Sequence, residues 1–180
     1  METMQIVLYI IIIIGILSLY FVKVYNNIKV QILKINAVES EIDESLRQKY
    51  DLVLKLASEI KKNDKNSKIL EKTETIKDEK LSSFEFERKL LEIENEIYVL
   101  KNDNTKLSKN NSFNELWHDM INLNTKINAH KKYYNESTSI YNELITKFPS
   151  KILSIILRLD EKNYFDGKNM YDKNIKDFKI

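Results

Sequence analysis

Residues 112–148 read SFNELWHDMINLNTKINAHKKYYNESTSIYNELITKF, and apolar side chains recur through them at alternating intervals of three and four. The apolar set is Phe113, Leu116, Met120, Leu123, Ile127, Tyr134, Tyr141, Leu144 and Phe148, with His130 and Ser137 as polar interruptions. This spacing predicts one face of an α-helix about 54 Å long. Because a helix cannot cover its own apolar face, other parts of the chain must pack against it.

The ends of this helix have sequence signals of their own. Ser112 is followed by Glu115, the pattern of a capping box, so the helix is predicted to start there. Pro149 is predicted to end it, because proline inside a helix removes a hydrogen bond and clashes with the preceding turn.

Two further apolar stripes lie upstream. The first comprises Ile28, Ile32, Ile35, Ile42, Leu46, Val53, Leu56 and Ile60, with Glu39 and Lys49 at two of its positions. The second comprises Phe86, Leu90, Ile93, Ile97, Leu100 and Leu107. Polar breaks at 61–66 and 109–111 separate the three stripes, and 150–159 is short and very apolar. The pattern predicts an all-α fold: an antiparallel, up-and-down four-helix bundle over 25–160, with helices at about 25–60, 67–108, 112–148 and 150–159. A polar tail, 161–180, follows. Intermolecular coiled coils are the alternative.

The composition agrees with a few long helices. The 180 residues include only 2 Gly and 1 Pro, far fewer than a fold rich in turns requires. The net charge of +2 gives no support for nucleic-acid binding. The chain has no Cys, which excludes disulfides, thiolate catalysis and cysteine-based metal sites.

Residues 4–24 are predicted to cross a membrane. They contain no charge before Lys23, and their aliphatic and Phe side chains favour insertion by roughly 5 kcal/mol. About twenty residues at ~1.5 Å rise per residue span a ~30 Å hydrocarbon core. A cleaved signal peptide is the alternative, but the segment lacks a basic start and a small-residue cleavage site.

Lysines on one side of this segment indicate its orientation. None precedes it, whereas Lys23, Lys29 and Lys34 follow it. The positive-inside rule therefore predicts a single-pass protein of the cell membrane with its N-terminus outside and its helical domain in the cytoplasm.

The sequence offers no catalytic, cofactor-binding or metal-binding constellation. His118 and His130 are too far apart on one helix to share a metal ion, and Glu115–His118 is a single Glu-x-x-His string without a second copy. We therefore expect no cofactor, no metal and no enzymatic activity. A metal-dependent enzyme built in the bundle core remains an alternative.

The most distinctive residues form a polar and aromatic group on the third helix. They are Tyr133, Tyr134, Asn135, Tyr141 and Asn142. Buried tyrosines require partners for their hydroxyls, and the Asn side chains, or Asp43 and Asp51 on the first helix, are candidate partners. The group is interpreted either as a polar seam that fixes helix register or as a recognition patch for another protein.

Two motifs resemble the LemA family. Residues 42–53, IDESLRQKYDLV, are similar to its first motif, and residues 129–135, AHKKYYN, are similar to its second, with Tyr141-Asn142, Phe148-Pro149 and Tyr164-Phe165 at the family's spacing. Leu54 stands at a usual proline, Lys131 and Lys132 at usual arginines, and Arg158 at a usual glycine.

The resemblance implies an N-terminal anchor and an antiparallel four-helix bundle of the bacterial cell envelope, with no established enzymatic activity. The predicted function is an interaction or scaffold protein anchored through 4–24, with a protein partner, a potential homo-oligomer and no nucleic acid. A membrane-surface or lipid-remodelling protein is the alternative.

Overall fold

The computed structural model of the chain describes residues 2–77 and 81–165. Its helices, in chain order, are α1 (Glu2–Asn63), α2 (Ile69–Ile76), α3 (Ser83–Asp103), α4 (Thr105–Ser108), α5 (Asn111–Thr146) and α6 (Lys151–Leu157). The described residues contain no strand. The predicted all-α fold with a long apolar N-terminal helix is confirmed.

α1 joins two elements that the sequence predicted separately, the membrane segment and the first helix of the bundle. It runs without interruption from Glu2 to Asn63, because no glycine or proline follows Gly15 within it. Every residue from Thr3 to Tyr20 is exposed, and the first fully buried side chain is Val24. The apolar start of α1 is therefore left exposed by the described residues.

The second predicted helix is divided into α2, α3 and α4. Ser82 caps α3 in a capping box: its hydroxyl accepts from the Glu85 N–H, and its own N–H donates to the Glu85 carboxylate at 3.0 Å. Asn104 in turn caps α4. The apolar spacing from Phe86 to Leu107 extends across the break between α3 and α4, so periodicity predicted one helix where the Asn104 cap starts a new one.

The predicted capping box at Ser112 and Glu115 is wrong. α5 begins at Asn111, and the Asn110 side chain caps it by accepting from the Phe113 N–H at 3.1 Å. Asn is as strong an N-cap as Ser, and it occurs two residues earlier. Ser112 consequently lies inside the first turn.

The buried face of α5 departs from the predicted stripe toward its C-terminus. Phe113, Met120, Ile127, Tyr134 and Tyr141 are buried as predicted, but Ile145 is buried where Leu144 was expected, and Phe148 is 82% exposed. An α-helix drifts by about 20° per heptad from a strict seven-residue repeat. This drift accumulates along α5 and moves Leu144 off the packed face, while Phe148 lies beyond the last residue of α5, Thr146. Near the start of α5, Trp117 is buried and Leu116 is only half-buried.

The chain forms two compact units. The first unit contains residues 2–37 and Tyr134–Tyr164. The buried side chains of this unit come from α1 and α5, together with two serines at α6. They are Val24, Ile28, Gln31, Ile35, Tyr134, Ser137, Thr138, Tyr141, Asn142, Ile145, Ser150 and Ser154.

The second unit contains Val38–Tyr133 and Phe165. Its core combines aliphatic side chains with four aromatic ones, and buried side chains come from α1, α2, α3, α4 and α5. In this unit Glu41 of α1 contacts His130 of α5, with 2.9 Å between Oε2 and Nδ1. Residues 48–55 of α1 line one groove with 119–126 of α5. Because higher numbers on α1 meet lower numbers on α5, the two helices are antiparallel.

Candidate functional site

Three residues of the predicted polar and aromatic group lie buried in the first unit. Tyr134, Tyr141 and Asn142 are 5%, 3% and 8% exposed. They face residues 159–164, which follow α6 and which we call the return segment. The Tyr134 hydroxyl donates to the Asn163 carbonyl at 3.3 Å, and the Tyr141 hydroxyl donates to the Asp160 carbonyl at 3.0 Å. Both phenols thus find backbone acceptors, as buried tyrosines require.

Asn142 holds the same segment through both halves of its amide. Its Nδ2 donates to the Lys162 carbonyl at 2.8 Å, and its Oδ1 accepts from the Lys162 N–H at 2.9 Å. This paired geometry copies the hydrogen bonding of a neighbouring strand, and it satisfies a segment that has no secondary structure of its own. The polar group therefore fixes the position of the return segment on α5.

The surroundings of Tyr141 also affect its ionisation. Burial raises the pKa of the Tyr141 phenol above its usual value of 10.0, and the negative charge of Asp160 raises it further. The neutral phenol, which donates the hydrogen bond to the Asp160 carbonyl, is therefore the form that the folded state favours.

The other predicted site residues are distributed over the molecule. Tyr133 is 45% exposed on the surface of α5, and Asn135 is half-buried. Asp43 accepts a hydrogen bond from the Ser83 hydroxyl at the start of α3. Asp51 is exposed. Of the seven predicted residues, Tyr134, Tyr141 and Asn142 meet at the return segment. Tyr133 is the only tyrosine among the seven that faces solvent.

A buried ion pair in the second unit links three helices. Lys49 of α1 is fully buried, and its Nζ lies 2.6 Å from Oε2 of Glu94 on α3. The Asn124 amide of α5 donates to the other Glu94 oxygen at 2.6 Å. In the sequence, Lys49 stands out only as a polar position in an apolar stripe. A charge on a buried stripe signals a buried partner, but not which residue provides it.

A second ion pair involves the family motif directly. Lys131 donates to both carboxylate oxygens of Glu87, at 2.8 and 3.1 Å, and the Glu87 side chain is only 5% exposed. The ammonium group also lies 5.3 Å from the ring centroid of Phe165, which packs edge-to-face against Phe84. A motif residue thus joins α5, α3 and the end of the described chain.

The two histidines have separate surroundings. His130 is half-buried beside Glu41, and His118 is exposed. Glu115, the other end of the single Glu-x-x-His string, is exposed as well. Residues 2–77 and 81–165 contain no group of three or more His, Asp or Glu side chains that could hold a metal ion.

Comparison with known proteins identifies one family. Neither the curated proteins nor the solved structures include a match. The family model described as the LemA family matches residues 38–177, well over half of the chain. The matched region contains both quoted motifs and begins after the apolar start of α1. Together with the helical structure and the placement of the motif residues, this match shows that the chain belongs to the LemA family.

Proposed function

We propose that this protein is a single-pass membrane protein whose helical domain works through contacts with other proteins and without a catalytic step. One observation carries the proposal. Among the described residues, only α1 is long and apolar enough to cross a membrane, with a mean hydropathy of 2.6 in a window that is entirely unburied. A helix of this composition whose apolar side chains stay exposed among the described residues is suited to the hydrocarbon core of a bilayer.

The orientation follows from the charges beside this helix. Lys23, Lys29 and Lys34 lie on its C-terminal side, and no Lys or Arg lies on the N-terminal side. We therefore place the N-terminus outside and the helical domain in the cytoplasm.

The role in protein contacts is supported by what the conspicuous polar residues do. Tyr134, Tyr141 and Asn142 hold the return segment, and Lys131 pairs with Glu87. These motif residues therefore stabilise the helical domain itself. Tyr133, next to them on α5, presents a large aromatic side chain to solvent, and aromatic residues are enriched at protein interfaces.

The absence of cysteine makes the topology directly testable. Single-cysteine variants Thr3→Cys and Lys126→Cys, both at exposed positions, are labelled in intact cells with a membrane-impermeant maleimide. We expect Thr3→Cys to react in intact cells and Lys126→Cys to react only after permeabilisation. The reverse pattern would overturn the orientation, and reaction of both in intact cells would overturn the single-pass arrangement.

The interaction surface is tested by photo-crosslinking in intact membranes. A photoreactive phenylalanine analogue replaces Tyr133, and the matched control carries it at Tyr98, which is 53% exposed on α3. A discrete protein adduct from position 133 that position 98 does not give would support a partner surface. Self-crosslinks at 133 would indicate a homo-oligomer. Equal adducts from both positions would contradict a specific contact at Tyr133.

A further inference from the structure

α6 presents its apolar face to solvent and its polar face to the protein. Ser150 and Ser154 are 6% and 5% exposed, and the Ser154 hydroxyl donates to the Ile145 carbonyl of α5 at 2.7 Å. Ile155 and Ile156, by contrast, are 67% and 70% exposed. This is the reverse of the arrangement by which a surface helix of a water-soluble domain covers its core.

Exposed apolar side chains are concentrated in residues 147–158, the α5–α6 turn together with α6, which we call the tip. Its large exposed apolar side chains are Phe148, Ile152, Ile155, Ile156 and Leu157. Several large apolar side chains exposed within twelve residues mark a site of contact with a protein or a membrane.

The tip belongs to the same compact unit as the membrane segment. This first unit contains residues 2–37 and Tyr134–Tyr164. Its buried side chains on α1 begin at Val24, where the membrane segment ends, and its last buried side chain on α5 is Ile145, just before the tip. The packed part of this unit is thus bounded by the membrane segment on α1 and by the tip on α5.

Basic side chains border the apolar patch. Lys147, Lys151 and Arg158 are all exposed. Lys147 forms an ion pair with Glu143, one turn earlier in the chain. Isoleucine and phenylalanine beside lysine and arginine are the composition of surfaces that lie in the interface of an anionic bilayer.

We propose that the tip, residues 147–158, is a second membrane contact that inserts its apolar side chains into the interface of the same bilayer that α1 spans. The inference rests on the proposed anchor. Two separated points of attachment would fix the tilt of the helical domain against the membrane, whereas a single helix alone leaves it free to tilt.

The test uses the full chain in vesicles of phosphatidylcholine and phosphatidylglycerol. Single cysteines at Leu8, Ile155 and Lys126, all exposed positions, carry an environment-sensitive fluorophore, and quencher-bearing lipids or aqueous iodide are added. We expect lipid quenching and a blue-shifted emission at positions 8 and 155, and iodide quenching at 126. A second variant carries the fluorophore on Phe148→Cys and also contains I155D and I156D. We expect these two aspartates to abolish lipid quenching of the label at position 148.

The outcomes separate the tip from the anchor. Lipid quenching at 8 without lipid quenching at 155 would overturn the tip contact and leave the anchor intact. No lipid quenching at position 8 would overturn the anchor, and the tip contact with it. A label at 155 that is shielded from iodide but not quenched by lipid is covered by protein, a second copy included, and would also overturn the inference.

Discussion

At the scale of single residues, Arg158 is the one non-glycine residue with a positive φ among the residues that the structure describes. It ends α6 at φ 52° and ψ 52°, in the left-handed region that favours glycine. Arg158 stands at a position where the LemA family usually has glycine. In the left-handed conformation the Cβ of Arg158 crowds the following carbonyl oxygen, at a cost of roughly 1–2 kcal/mol.

We therefore expect Arg158→Gly to raise the free energy of unfolding by about 1 kcal/mol, since the greater entropy of glycine in the unfolded chain offsets part of the relief. Urea unfolding of the full chain in detergent, followed by circular dichroism, measures the change. Arg158→Ala is the control, because it removes the charge but keeps the Cβ. A gain that is equal in both variants would show that the charge and not the backbone is responsible.

Tyr141 gives a prediction about pH. Because its pKa is raised in the folded state, by burial and then by Asp160, the unfolded phenol ionises first as pH rises. Its stabilising contribution is complete below pH 10.0, the usual phenol value, and is lost as the pH climbs from there toward the folded pKa.

Tyr141→Phe should accordingly lower stability at neutral pH by about 1 kcal/mol, the value of its hydrogen bond to the Asp160 carbonyl. The difference between wild type and variant should then shrink above pH 10, where the wild type alone loses this contribution. Unfolding curves at several alkaline pH values measure it, and Tyr133→Phe, on an exposed tyrosine, serves as the control. A difference that stays constant with pH would contradict the assigned ionisation.

At the scale of helices, capping decides where α3 and α5 begin. Ser82 and Ser112 both precede a glutamate by three residues, yet only Ser82 forms the capping box. Ser82→Ala should cost about 1 kcal/mol of stability, whereas Ser112→Ala should change it little. Thermal unfolding of the two variants, which differ only in position, makes the comparison. An equal loss in both would mean that Ser112 does cap α5.

The same contrast shows what sequence reasoning can reach. The apolar period identified the long helices, because burial of one face is imprinted over many residues. Cap selection depends on one side chain competing with its neighbours, as Asn110 does with Ser112, so the boundaries were less accurate. The partners of Tyr134, Tyr141 and Asn142 could not be predicted from the sequence. They are backbone groups of the return segment, and every residue type has a backbone carbonyl.

The ion pair between Lys49 and Glu94 connects α1 with α3, and Asn124 adds α5. Lys49→Met alone should cost about 3 kcal/mol, because it leaves a buried carboxylate without its counter-charge. Adding Glu94→Gln removes that charge and keeps an oxygen for the Asn124 amide, so the double variant should recover most of the loss. Denaturant unfolding of the wild type, both single variants and the double variant gives the coupling energy. A value near zero would mean that the two side chains do not interact.

At the scale of the whole molecule, the membrane segment and the helical domain share α1, but residues 3–20 are all exposed and contribute nothing to the buried core. Insertion and folding should therefore respond to different substitutions. Ile12→Lys combined with Ile13→Lys adds two charges near the centre of the segment, at about 2.5–3.5 kcal/mol each, which cancels the roughly 5 kcal/mol that favours insertion. We expect the variant to move from the carbonate-resistant membrane pellet to the supernatant, with its helical circular dichroism retained. Leu33→Lys, at a 67% exposed position outside the segment, should remain in the pellet. If the double-lysine variant resists extraction like the control, something other than α1 holds the protein at the membrane.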